Sequence, residues 1–393
     1  MNKNNLVILV LCQLISATGS IVMVTLGGII GARLTDNPAF ATLPVSVMVV
    51  AVAATTIPAT LLMRRIGRRL GFMLASLSAT LAVLLGLYAL TGESFFWFVM
   101  SLALFGVNMA FTQQYRYAAA ESVERRYIPR AISFVLLGSI GGALLGPELA
   151  TRGQFWVSGT PFAGTIIALA VLYLVQALLF LRLNARLAAE EHATPRKKRR
   201  LSGIIGQPVF LVAVLGGTAG YGLMSLVMTA TPLSMHIKDG FTLEATAGVI
   251  RAHVLAMYLP SLVSGFLIER LGVTKLMLAG VLALLATSIT GLQGQSLQHY
   301  WWALILLGVG WNFLYVGATT MLTYTYTPEE RFGAQAVNEF LVFGVSATAS
   351  LLAGTVMHYF GWLTLMWIPI PVLVLTGLAL LVVRRDRLLQ RGA

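Results

Sequence analysis

The chain has 393 residues, 58% of them hydrophobic and only 10% charged. A soluble domain carries about 25% charged residues, so this chain lacks the polar surface to face water on all sides. Lys and Arg outnumber Asp and Glu by 27 to 14, a net charge of +13. The excess sits between long uncharged runs, which reads as membrane topology and attraction to anionic lipid headgroups, not as a nucleic-acid patch.

Twelve apolar segments follow in chain order, at 5–32, 40–63, 71–90, 95–119, 129–150, 161–183, 207–236, 246–268, 275–293, 299–323, 332–357 and 362–383. Each approaches or exceeds the roughly 20 residues with which a helix crosses the hydrocarbon, every backbone group bonded internally. The first follows a single Lys3 and is longer than a signal-peptide core, so it reads as a retained span. It holds Cys12, the only cysteine, which leaves no intrachain disulfide. With the N-terminus cytoplasmic, most Lys and Arg fall on the inside. Only Arg33, Arg152, Lys238 and Arg251 lie outside, and Arg116 lies within span 4. Both termini are therefore expected in the cytoplasm, in a bacterial inner membrane.

The loop after span 2 reads Leu62-Met-Arg-Arg-Ile-Gly67-Arg68-Arg, and the loop after span 8 reads Gly265-Phe-Leu-Ile-Glu269-Arg270-Leu-Gly272-Val-Thr-Lys275. Gly67 and Gly272 are 205 residues apart, about half the chain. Glu124-Arg-Arg-Tyr-Ile-Pro and Pro328-Glu-Glu-Arg-Phe-Gly repeat in the same way before spans 5 and 11. The one long hydrophilic break, 184–206, contains Arg-Lys-Lys-Arg-Arg and reads as a cytoplasmic linker. The expected organisation is thus a six-helix bundle at 1–183, the linker, and a second bundle at 207–393, a duplication that suits alternating access. No Lys follows a glycine as a Walker A loop requires, so the sequence argues against an ATP-driven pump, and no catalytic chemistry is implied.

The pattern Gly-x-Leu-x-Asp-Arg-x-Gly-Arg-Arg between spans 2 and 3 is the loop signature of the major facilitator superfamily. The copy from Gly265 to Gly272 resembles it, with Glu269 as the acid and Arg270 beside it. In the copy around Gly67 and Arg68, Arg64 stands where the acid belongs and Thr60 replaces the first glycine. The resemblance implies an all-α fold of 12 transmembrane helices in two six-helix bundles, with secondary transport. Span 5, with Gly138, Gly142, Gly146 and Pro147, resembles the glycine pattern of exporters; the same spacing also serves close helix packing.

Span 7 places Met224 and Met228 one turn apart on one helix face, with Pro232 expected to bend the helix before Met235 and His236. Span 8 places His253 and Met257 at the same spacing. At about 1.5 Å per residue, the methionines of span 7 lie about 4 to 10 Å outward of the midplane and His253 about 6 Å outward. Thioethers suit Cu(I), and imidazole binds copper in either oxidation state. Methionine is equally a flexible packing residue. Together the two motifs resemble those of the CcoA-like copper importers, the CalT family. That resemblance implies Met224, Met228, His253 and Met257 as metal ligands and copper uptake for copper–haem oxidase assembly. Copper is then substrate, not cofactor, with copper chaperones as partners. Met23 and Met48, repeat-related to Met224 and His253, are candidates for a wider path, as are Met235 and His236 at a helix end.

Arg116 and Glu339 are ionisable residues within spans and are candidates for coupling or gating. Relatives in the same group are riboflavin importers, and Tyr115, Asn108, Gln113, Tyr221, Trp311 and Asn312 are the residues an isoalloxazine ring would use. Copper import, riboflavin import and drug or metabolite export therefore all remain open, in a protein expected to be a monomer.

Overall fold

The structure is a computed structural model that describes residues 3–36, 40, 43–184 and 199–384. The described residues form helices joined by turns and loops, with no strand among them: α1 (Lys3–Leu34), α2 (Leu43–Ile66), α3 (Arg68–Thr91), α4 (Phe95–Thr112), α5 (Tyr115–Glu121), α6 (Ile128–Gly153), α7 (Ala163–Leu181), α8 (Leu201–Ile205), α9 (Pro208–Pro232), α10 (Leu243–Tyr258), α11 (Ser261–Leu271), α12 (Val273–Gln293), α13 (Leu297–Thr323), α14 (Arg331–Trp367) and α15 (Pro369–Val383). Span 4 is α4 and α5 across a tight turn at Gln113–Gln114, and span 8 is α10 and α11 across a break at Leu259–Pro260. Spans 11 and 12 run together as one apolar stretch, Arg331–Val383, turned at Gly361, where φ is 76°. Most of the linker's basic run, Arg196 to Lys198, lies outside the described residues.

Two compact units divide the chain: residues 1–123 with 134–192, and residues 124–133 with 193–393. The head of α6 thus belongs with the second unit. Helix pairings recur in both. In the first, α4 packs on α2 and α3, and α3 on α7. In the second, α13 packs on α10 and α12, and α12 on α15. The repeat extends to single residues. Gly67 and Gly272 share one backbone conformation, φ 82° and ψ 160° against φ 88° and ψ 152°, which glycine adopts without strain. Gly106 of α4 lies against the Met48 carbonyl of α2, and Gly308 of α13 against the His253 carbonyl of α10.

At Gly308 a Cβ would stand 2.7 Å from that carbonyl oxygen. Gly308→Leu is expected to force α10 and α13 apart and cost about 1–3 kcal/mol or more, read as loss of folded protein by fluorescence-detected size exclusion. The exporter-like glycines of α6 serve packing in the same way: Gly138, Gly142 and Gly146 sit against Val10, Ala17 and Ile21 of α1.

At Pro232 the helix of span 7 changes character. Lacking an N–H, the proline cannot continue the ladder, and the chain runs on as a π-helical turn, Leu233–Lys238. Tyr300 fastens that turn to α13: its hydroxyl donates to Asp239 at 2.6 Å and pairs with Ser234 at 2.6 Å.

Outside the spans, Glu330 closes the α13–α14 loop. It accepts from the Arg199 backbone at 2.9 Å, from Arg199 Nε at 2.9 Å and Nη2 at 2.7 Å, and from the Thr327 N–H at 3.0 Å. These donors, Arg199 foremost, hold its carboxyl down at about 2, from an ordinary value of 4.5. A depressed carboxylate stabilises the fold above its unfolded pKa and loses that contribution as pH falls towards the folded value. Because Arg199 is half-exposed, the pair is worth about 1–2 kcal/mol at neutral pH. Glu330→Gln is expected to lower thermal stability in detergent by that amount at pH 7, with the gap to wild type shrinking by more than half at pH 3.

Candidate functional site

Five aromatic rings gather in the second unit. Trp311 and Tyr315 are one turn apart on α13 and stack, with centroids 4.8 Å apart and planes at 19°. Tyr221 of α9 meets Trp311 at 5.5 Å, Tyr315 at 5.4 Å and Phe343 of α14 at 5.0 Å, each edge to face. Tyr258, the last residue of α10, meets Trp311 at 5.8 Å. Trp311 is only 1% exposed, yet its indole Nε1 has no hydrogen-bond partner. A buried N–H without an acceptor costs about 1–3 kcal/mol. Beside it, Asn312 donates to the Met257 carbonyl and to Ser261 Oγ, both at 2.7 Å, while its Oδ1 is unbonded.

Of the residues expected to suit an aromatic ligand, Tyr221, Trp311 and Asn312 come together here. Tyr115 and Asn108 lie in the other unit. Tyr115 is locked in its core against Phe72 and Phe180 and accepts from Gln176, and Asn108 bonds the Ala75 carbonyl. Tyr315 was open to recognition in the sequence, four residues after Trp311; Phe343 carries no signal of its own.

His253 is fully buried, and its Nδ1–H donates to the Leu304 carbonyl at 2.8 Å. That bond fixes the tautomer and leaves Nε2 as a lone pair, which is unpartnered. Met257, one turn on, gives its carbonyl to Asn312, so the His253–Met257 pair is fastened to α13. Met224 is buried on α9 and Met228 half-buried one turn on. No hydrogen bond joins the α9 pair to the α10 pair among the described residues. Met23 and Met48 both lie in the apolar core of the first unit. Met235 is buried in the π-helical turn, and His236 Nδ1 donates to the Phe241 carbonyl of its own loop. No group of three or more His, Cys, Asp or Glu gathers to hold a metal among the described residues.

Both repeated loops are ion-paired. Arg68 is buried and grips Glu121 at the end of α5 with two bonds, 2.7 and 2.6 Å. Glu121 is the carboxylate that the sequence pattern misses, since Arg64, at the acid's position, is exposed. In the second copy Glu269 pairs with Arg130 at the head of α6, while Arg270 is exposed, and Gly265 lets the Arg130 backbone approach. Arg116 is buried and stacks over the Tyr117 ring at 4.9 Å. Glu339 is fully buried and accepts from Asn338 Nδ2 at 2.9 Å.

The described residues form two helical units whose pairings repeat. A sequence model of the Major Facilitator Superfamily matches residues 9–257 and again 241–392. The chain belongs to the major facilitator superfamily. It is 36% identical over 392 residues to the riboflavin transporter RfnT of Brucella anthropi, covering 100% of this chain and 97% of the relative. It is 29% identical over 399 residues to YdeG, an uncharacterized MFS-type transporter of Bacillus subtilis, covering 92% and 88%. The fold is similar to that of the Escherichia coli fucose:proton symporter FucP, with a TM-score of 0.75 at 14% identity over 96% of this chain and 98% of that one. The superfamily expectation therefore stands. The narrower resemblance to copper importers gains no support from these relatives, and the full-length similarity to a riboflavin transporter favours the alternative.

Proposed function

We propose that this superfamily transporter carries riboflavin across the membrane, inward. The observation that carries the reading is the aromatic cluster of Tyr221, Trp311, Tyr315 and Phe343, in a chain similar over its whole length to a riboflavin transporter. An isoalloxazine is a flat, polarisable three-ring system. It gains most from aromatic faces and edges, and it carries carbonyl and ring-nitrogen acceptors for a lone donor such as the Trp311 indole N–H. Two-sided hydrophobic burial with a few polar contacts is the ordinary composition of a small-molecule site.

Copper is the second reading, favoured by the Nε2 lone pair of His253. The two readings part at span 7. Under the riboflavin reading Met224 and Met228 pack, and Met224→Leu with Met228→Leu is expected to leave riboflavin uptake within about twofold of wild type, since such isosteric swaps cost little. Cellular uptake of labelled riboflavin and of radioactive copper, measured in parallel at matched membrane levels, decides. Copper uptake that vanishes in the methionine variants, with no riboflavin entering, would restore the copper reading.

A further inference from the structure

One turn beyond the aromatic cluster, α9 and α14 are joined by hydroxyls. Ser225 Oγ pairs with Ser346 Oγ at 2.6 Å, and Thr229 Oγ1 with Ser350 Oγ at 3.0 Å. Both pairs are 121 residues apart, so they form two rungs in one register along parallel helices. Ser225 and Thr229 follow Tyr221 at four and eight residues, about 6 and 12 Å along the helix. Ser346 and Ser350 follow Phe343 at three and seven. The rungs therefore continue the line on which Tyr221 meets Phe343.

These hydroxyls differ from others on the same helices. Thr231 and Thr348 bond back to carbonyls of their own helix, the usual way a transmembrane hydroxyl is satisfied. The rung hydroxyls instead bond one another, and the second rung is exposed at the surface of the unit. Each hydroxyl is both donor and acceptor, so a rung opens to a pair of neighbouring alcohols with no bond lost. The aromatic cluster beside them supplies the independent sign of a ligand, in the buried and unpartnered indole N–H of Trp311.

We propose that the Ser225–Ser346 and Thr229–Ser350 rungs bind a short polyol chain, so that the site takes a planar heteroaromatic ring bearing a run of hydroxyls. This inference rests on the riboflavin reading and specifies how that site tells a ribityl flavin from the bare ring. The competing role for the rungs is helix–helix adhesion, which has no preference between ligands.

Purified full-length protein in detergent is titrated with riboflavin and with lumiflavin, the same ring with a methyl in place of the polyol, following flavin fluorescence. Wild type, Ser225→Ala/Ser346→Ala and Thr229→Val/Ser350→Ala are compared, with thermal stability recorded for each. Wild type binds riboflavin more tightly. Each pair variant weakens riboflavin about tenfold and leaves lumiflavin within twofold. The inference is overturned if wild type prefers riboflavin and the variants keep that preference, or if both ligands weaken together with stability. Wild type that binds neither flavin would overturn the riboflavin reading itself.

Discussion

Arg68→Met is expected to destabilise the protein by about 3–5 kcal/mol, and Glu121→Met added to it to restore most of that loss. The two side chains are 2% and 8% exposed, and the guanidinium meets the carboxylate with two short bonds. Removing the arginine takes the bidentate guanidinium from a buried carboxylate, where desolvation is costly. Removing both charges eliminates the buried ion, and two methionines fill similar volume. Thermal unfolding in detergent, with membrane yield alongside, reads the effect. A single variant as stable as wild type would mean that the pair is dispensable, and a double variant no better than the single would mean that the geometry, not the charge, holds α3 to α5.

Trp311→Leu is expected to cut riboflavin uptake by roughly tenfold to a hundredfold at matched membrane level. A flat ring stacked on an aromatic side chain gains about 1–3 kcal/mol, and Trp311 touches three other rings of the cluster, so its loss also loosens Tyr221 and Tyr315. Trp311→Phe keeps a face and loses the N–H, so it should fall between the two. Uptake by Trp311→Leu equal to wild type would remove the cluster from the binding site.

The fold was legible because it is written locally. Apolar runs of membrane length and glycines at 67 and 272 each state their role within a few residues, and the structure gives those two glycines one conformation. Pro232 likewise marked the end of its α-helix, because a missing N–H acts on its own turn. The site was less legible because it is written across helices. Arg68 and Glu121 are 53 residues apart, and nothing near either names the other. Tyr221 and Trp311 were visible as aromatic residues within spans, but Phe343 joins them only because α14 packs on α9. The Met-x-x-x-Met and His-x-x-x-Met spacings showed which residues share a helix face. They did not show that His253 spends its Nδ1–H on the Leu304 carbonyl, or that Met257 lends its carbonyl to Asn312. A motif of soft donors can therefore describe helix packing as well as a metal path.

The most direct measurement is uptake of labelled riboflavin into liposomes containing only the purified protein, with protein-free liposomes as the baseline. Riboflavin transport by this protein predicts uptake that saturates, that unlabelled riboflavin competes away, and that Trp311→Leu cuts by roughly tenfold to a hundredfold. Uptake no greater than the baseline, from protein that is folded and correctly inserted, would contradict it.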